Sequence, residues 1–353
     1  MTKKSQRSSS QLNLDASTTA LTLCREIEII DLHIDTFIPH RLWGYNPLIS
    51  HNGGPFGRHF FGHLDLPRMT AGGLNAAMWS ITTNPFRKAK ARWTTFEKNL
   101  NRLKEIVNKS DGQLQFVRNP LEYRDAIDNS RHAVLLSIQG GNAFEAAPDG
   151  ALSLPNLMTR VTLIHLTNAR FGATSSPDHL WRSQKGLSKT GFECVEQLNH
   201  KRIFVDLAHI HPRGFWDALA IHRNDIPPIV THTGVSGVRK HWRNLDDSQI
   251  KAIAERGGVI GVIFAANFLR RRDMPNNAEM VIEHIEHIIK IAGEDVPAIG
   301  SDLDGAISPP PDLANGSAYA RIVDVMLQKG WSEDRIKKIC GDNFLRSWKC
   351  LRP

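Results

Sequence analysis

Four cysteines, Cys24, Cys194, Cys340 and Cys350, are scattered through 353 residues, and no C-x-x-C pair occurs. That spacing excludes a zinc knuckle and a vicinal redox pair. Reduced thiols in a cytoplasmic protein fit best, with a single bridge as the alternative. No stretch approaches the roughly 18 consecutive apolar residues of a membrane span. Residues 1–20 are polar and rich in Ser and Thr, without the apolar centre of a secretory signal. They read as a loose tail, and residues 21–353 as a single domain. The chain ends in Cys350-Leu351-Arg352-Pro353 with no apolar tail, so no lipid-anchor signal is expected there. No G-x-S-x-G elbow is present, which argues against Ser/His/Asp hydrolysis. No Gly-rich phosphate loop follows the first apolar run, which weakens an open, doubly wound sheet.

Hydrophobic residues make up 41% of the chain, enough for a sizeable core. The net charge of +8 raises the question of an anionic partner. The basic clusters, Arg87–Arg92 and Arg270–Arg272, are short and lack interleaved stacking aromatics. They read as solvated faces, and neither nucleic acid nor a membrane is expected as a partner.

Apolar, β-branched runs recur: Ile27–Asp35, Leu74–Ile81, Ala133–Ile138, Val161–Leu166, Arg202–Leu207, Pro228–Thr231, Val259–Phe264 and Pro297–Gly300. Segments with helical spacing lie between most of them, including Phe86–Asn108, Leu187–Leu198, Asp246–Glu255 and Ala278–Ala292. In the third, Asp246 and Asp247 open the first turn and Gly257-Gly258 follows the last, the expected polarity of helix start and stop. Near-continuous apolar strands alternating with helices indicate a parallel sheet covered on both faces. Eight such units predict an α/β fold, a (β/α)8 barrel of the TIM type, with an irregular insertion at 37–73. Ser332–Leu345 reads as a closing helix broken at Gly341.

Active sites of such barrels form at the C-terminal ends of the strands. The first run ends in Asp31-Leu32-His33-Ile34-Asp35-Thr36. Residues two apart on a strand share a face, so His33 and Asp35 can reach one point. The third ends in Gln139-Gly140-Gly141-Asn142. His165 follows in the fourth, His209 in the fifth, His232 in the sixth, and Asp302 and Asp304 in the eighth. Any one of these histidines reads most simply as a satisfied buried or surface side chain. Their joint placement points to a metal-assisted hydrolase. Imidazoles and carboxylates hold zinc while leaving a position for water. Asp302 can then move the water's proton to a leaving amine, and His165 can stabilise an oxyanion or anchor the substrate.

These motifs, together with His63-Leu64-Asp65-Leu66-Pro67-Arg68, Leu163-Ile164-His165-Leu166-Thr167-Asn168, Asp206-Leu207-Ala208-His209, Arg243-Asn244-Leu245-Asp246-Asp247, Gly300-Ser301-Asp302-Leu303-Asp304-Gly305 and Gly341-Asp342-Asn343-Phe344-Leu345, occur in order from about 28 to 348. The chain so resembles the membrane dipeptidase (renal dipeptidase) family of zinc metallopeptidases. The resemblance implies a dipeptidase with two zinc ions, one on His33 and Asp35 and one on His209 and His232. It implies contact of His165 with the substrate or tetrahedral intermediate, binding of the substrate carboxylate by Arg243, and a proton shuttle at Asp302. A guanidinium suits bidentate carboxylate recognition in any case. A small peptide substrate and a possible homodimer are the expected partners.

The departure is Gln139, which stands where the family has a glutamate bridging both zinc ions. A neutral carbonyl oxygen replaces a carboxylate, and hard cations hold less tightly. Three arrangements follow: Gln139 still ligates and both metals stay, one metal remains, or the protein is an inert relative. Hydrolysis of an N-acyl amino acid or another small amide is the alternative reaction. Substrate side-chain preference is expected to lie in 37–62 and in the loop at 170–182.

Overall fold

The computed structural model describes residues 16–52, 59–177 and 185–353. Its sheet is wholly parallel, with β1 at Ile29–Ile34, β2 at Leu74–Thr82, β3 at Leu114–Phe116, β4 at His132–Gln139 and β5 at Met158–Thr162. β6 at Phe204–Asp206, β7 at Ile229–Thr233, β8 at Val259–Val262 and β9 at Pro297–Ile299 complete it. β1 pairs with both β2 and β9, β2 pairs with β4, and β4 to β9 follow in order. Eight strands thus close into a (β/α)8 barrel. β3 stands outside the circuit: it pairs with the start of β4, His132–Val134, ahead of the stretch that pairs with β5. Three residues with Gln115 between two apolar ones give no run long enough to read from sequence.

Every residue of β1 and of β4 is buried, as a sheet covered on both faces requires. The helices Ala89–Asn108, Lys189–His200, Asp247–Ala254 and Glu279–Ala292 lie within a few residues of their expected positions. Asp246 caps the third: its carboxylate accepts from Gln249 N, and the Gln249 side chain accepts from Asp246 N. Ser188 caps the second, which is why that helix starts at Lys189 and not at Leu187.

Five sequence expectations need correction. The tail was expected to run to residue 20. Residues 1–15 lie outside the described residues, and a helix already spans Thr18–Glu26, capped by Ser17 and burying Ala20, Leu23 and Cys24. The insertion at 37–73 is not irregular, for it carries helices at Phe37–Trp43 and Leu66–Ala71; residues 53–58 lie outside the described residues, as do 178–182 of the expected specificity loop. The fourth strand ends at Thr162, so His165 sits on the loop beyond it. Gly341 does not break the last helix. A π-turn at Lys338–Asp342 joins Glu333–Lys337 to Asn343–Leu351, and a Cβ at Gly341 would stand 2.5 Å from the Glu28 carbonyl oxygen. Arg92 is not part of a solvated face. It is buried, ion-paired to Glu145, and donates to the Asn142 carbonyl at 2.8 Å. That pairing occupies Glu145, the carboxylate nearest in sequence to Gln139.

The strands crowd just below the mouth. A Cβ on Gly300 would lie 1.7 Å from the Thr231 carbonyl oxygen, one residue before His232. Only glycine admits that approach, and it sets the distance between the ends of β7 and β9.

Candidate active site

Asp31 ties the end of β1 to the segment after β9. Its carboxylate accepts from His33 N and Ser301 N, both at 2.9 Å, and from the Tyr319 hydroxyl at 2.7 Å. Asp302 N in turn donates to the His33 carbonyl at 2.9 Å. His209 and Asp302 both adopt left-handed backbone, with φ of 65° and 60°. For a non-glycine residue that costs about 1–2 kcal/mol, and such strain gathers where a fold holds side chains in fixed directions.

The predicted residues meet. His33 Nε2 lies 3.5 Å from Asp35 Oδ2 and 3.4 Å from Asp302 Oδ1. The His33 and His232 rings stack with centroids 4.0 Å apart. His209 Nε2 faces His232 Nε2 at 2.9 Å, and Gln139 Nε2 lies 3.5 Å from the same atom. Ligand atoms of His33, His232 and Asp302 all fall within 4.8 Å of one another. The half-buried His165 ring meets His209 edge-on at 4.6 Å. Arg243 Nη2 donates to the His232 carbonyl at 2.9 Å, so the guanidinium borders the same space.

A model of the membrane dipeptidase family, peptidase family M19, matches residues 17–352. The chain belongs to this family.

It is 26% identical over 344 residues to an uncharacterized dipeptidase of Schizosaccharomyces pombe, spanning 93% of this chain and 81% of that one. It is 29% identical over 258 residues to an uncharacterized protein encoded beside pqqA in Klebsiella pneumoniae, spanning 70% of this chain and 92% of that one. The crystal structure of dipeptidase AC, a family M19 metallopeptidase, superposes with a TM-score of 0.80 at 26% identity, covering 91% of this chain and 99% of that one. The protein is thus a metallodipeptidase-like hydrolase, and membership of this family implies metal dependence. Among the described residues no helix is long and apolar enough to cross a membrane.

The donor set fits a family M19 metal. His33 Nε2, Asp35 Oδ1, Gln139 Oε1 and Asp302 Oδ1 are buried without a hydrogen-bond partner. Orphaned buried polar atoms are rare, and several converging on one space mark a place for a charged ligand. Burial, followed by nearby cations and imidazoles, holds His209 and His232 well below the usual histidine range, so both stay neutral and able to ligate. Burial likewise brings His165 down to about 3. Burial pushes the Asp35 carboxyl up to about 7. Burial, then the like charge of Asp35, pushes that of Asp302 well above its ordinary value, with Arg243 and Arg160 opposing the rise.

Sequence reading missed the layer behind these residues. Arg160 is fully buried inside the barrel, with Nη2 2.7 Å from His33 Nδ1 and Nη1 3.4 Å from the Asp206 carboxylate. Asp206 accepts from the hydroxyls of Thr162 at 2.6 Å and Thr231 at 2.7 Å. The available signal was an arginine one residue before an apolar strand run, where a charge has no place without a buried partner.

Proposed function

We propose that this family M19 protein is a zinc-dependent dipeptidase, cleaving the amide bond of a dipeptide at the mouth of the barrel. The observation that carries the reading is the convergence of neutral His209 and His232 on one point bordered by Arg243 and Asp302. His209, His232 and the Gln139 carbonyl oxygen would hold the metal. When bound, it polarises the scissile carbonyl and acidifies a water toward neutral pH.

The chain's own groups divide the remaining work. Arg243 Nε is buried without a partner, and the guanidinium stays cationic at neutral pH although burial lowers its pKa to about 10. It is the group that takes the substrate's terminal carboxylate, through paired N–H donors. His165, neutral at the rim, donates to the carbonyl oxygen as negative charge develops there. Asp302, its proton affinity raised by burial, receives the proton of the attacking water and passes it to the leaving amine. The four unpaired cysteines fit a reducing, cytoplasmic compartment.

The test is a substrate panel on the zinc-loaded full chain, with free dipeptides set against N-acyl amino acids. Turnover of dipeptides is the expected result. Turnover of the acylated compounds alone would move the reading to an acylase, and no turnover of either would sink it.

A further inference from the structure

We propose that the half of the site built on His33 and Asp35 binds no metal, and that the buried guanidinium of Arg160 stands in for it, leaving a one-metal centre on His209 and His232. The inference rests on the metallohydrolase reading above and concerns which atoms are free to ligate.

His33 Nδ1 has two neighbours, Arg160 Nη2 at 2.7 Å and Ser80 Oγ at 3.3 Å. A guanidinium has donors only, so Nδ1 must accept. Neutral His33 then carries its one proton on Nε2. That proton points into the space between Asp35 Oδ2 and Asp302 Oδ1, where a cation held by His33 would have to lie. Ligation through Nε2 would require stripping this proton while Nδ1 still faces a cation, or driving Arg160 away. Turning the ring over forfeits the 2.7 Å contact by presenting carbon to the guanidinium.

Arg160 has nowhere to go. It is fully buried, bonded to Thr162 Oγ1, to Ser80 Oγ at 2.9 Å and to the Ile138 carbonyl at 3.3 Å, and paired with Asp206. Asp35 and Asp302, the carboxylates that would serve a second dication, already have this fixed cation in their field. Gln139, which faces both His33 and His232, adds no negative charge between the two halves.

The other half is prepared in the opposite sense. Thr231 Oγ1 gives its proton to Asp206 Oδ2 at 2.7 Å, so it must accept from His232 Nδ1 at 2.8 Å. His232 Nε2 is therefore a lone pair. His209 Nδ1 has no hydrogen-bond partner, so nothing prevents its proton from residing there and freeing Nε2. Arg160 thus acts through His33 as a positioning residue: it fixes the His33 proton on Nε2, on the side of the two carboxylates, and the metal falls to the pair beyond it.

The test is metal stoichiometry of the full chain, read by elemental analysis after loading with excess zinc and desalting, and by the visible absorption of a cobalt(II) titration. One equivalent is expected. His33→Gln should keep that equivalent, and His232→Gln should reduce it to none. Combining Arg160→Met with Gln139→Glu, which frees His33 Nδ1 and restores a bridging charge, should raise the content to two. If that pair of substitutions fails to fold, the unaltered chain and His33→Gln still decide. Two equivalents in the unaltered chain, or loss of the metal in His33→Gln, overturns this inference alone. No bound metal overturns it together with the hydrolase reading.

Discussion

Thr231 Oγ1 lies 2.8 Å from His232 Nδ1, and the hydroxyl has already spent its proton on Asp206. The contact decides which ring nitrogen of His232 is free. Outer partners of this kind typically change metal affinity about 10–100-fold when removed. Thr231→Val keeps the shape and removes the oxygen, so metal affinity, measured by competition with a chromophoric chelator, should fall by that order. Unchanged affinity would remove Asp206 and Thr231 from the account of the site.

Arg243 is assigned to the substrate carboxylate. Arg243→Lys keeps the charge and loses the fork, and charge-assisted bonds of this type contribute about 1.5–3 kcal/mol. kcat/KM for dipeptides should therefore fall about 10–100-fold. Dipeptide amides, which lack the carboxylate, should be poor substrates and should show little further loss in the variant. Equal losses on acids and amides would place Arg243 elsewhere in the reaction.

The pH dependence of stability has a source away from the site. His132 Nε2 accepts from Trp79 Nε1 at 3.2 Å and Nδ1 donates to the Leu74 carbonyl at 3.1 Å. His284 accepts from Val235 N at 2.8 Å and contacts the Leu269 carbonyl at 3.1 Å through its other nitrogen. Each ring must stay neutral to keep both bonds, and burial lowers each from 6.5 to about 4. Because the folded value is depressed, the unfolded chain binds more protons in this window. The stabilisation is complete above about pH 6.5 and is lost as the pH falls toward 4, with a slope of about 1.4 kcal/mol per pH unit for each ring at most. Urea unfolding at pH 7 and pH 5 should show the fall, and His284→Gln should reduce it. Equal stability at the two values would contradict this.

Gly300 tests the crowding of β7 and β9. The atom a Cβ would strike is the Thr231 backbone oxygen, which cannot rotate away. Gly300→Ala should cost about 3 kcal/mol or more, at or above the upper end for overpacking. Gly44→Ala is the control: nothing lies within 4 Å of its Cβ, and only its φ of 69° is strained, so about 1–2 kcal/mol is expected. Thermal unfolding of the two variants separates close approach from backbone strain.

The barrel was legible because its strands are apolar on both faces and the helices between them carry start and stop signals, as Asp246 does. The site was legible where chemistry sits at strand ends: His33, Asp35, Gln139, His209, His232, Arg243 and Asp302 all reach the same space. The illegible parts share a cause. β3 is too short to show a period, the helices of the 37–73 insertion are six and seven residues long, and the pairings of Arg160 and Arg92 span 46 and 53 residues. Nothing local in the sequence announces a partner at that distance. Arg160 matters most, since it bears on what His33 can do and is silent in the H-x-D motif itself.

The most direct test is dipeptide hydrolysis by the full chain before and after removal of its metal. Turnover should fall to background on chelation and return in full with one equivalent of zinc per chain. Turnover that survives chelation, or no dipeptide turnover in the zinc-restored protein, would contradict the account.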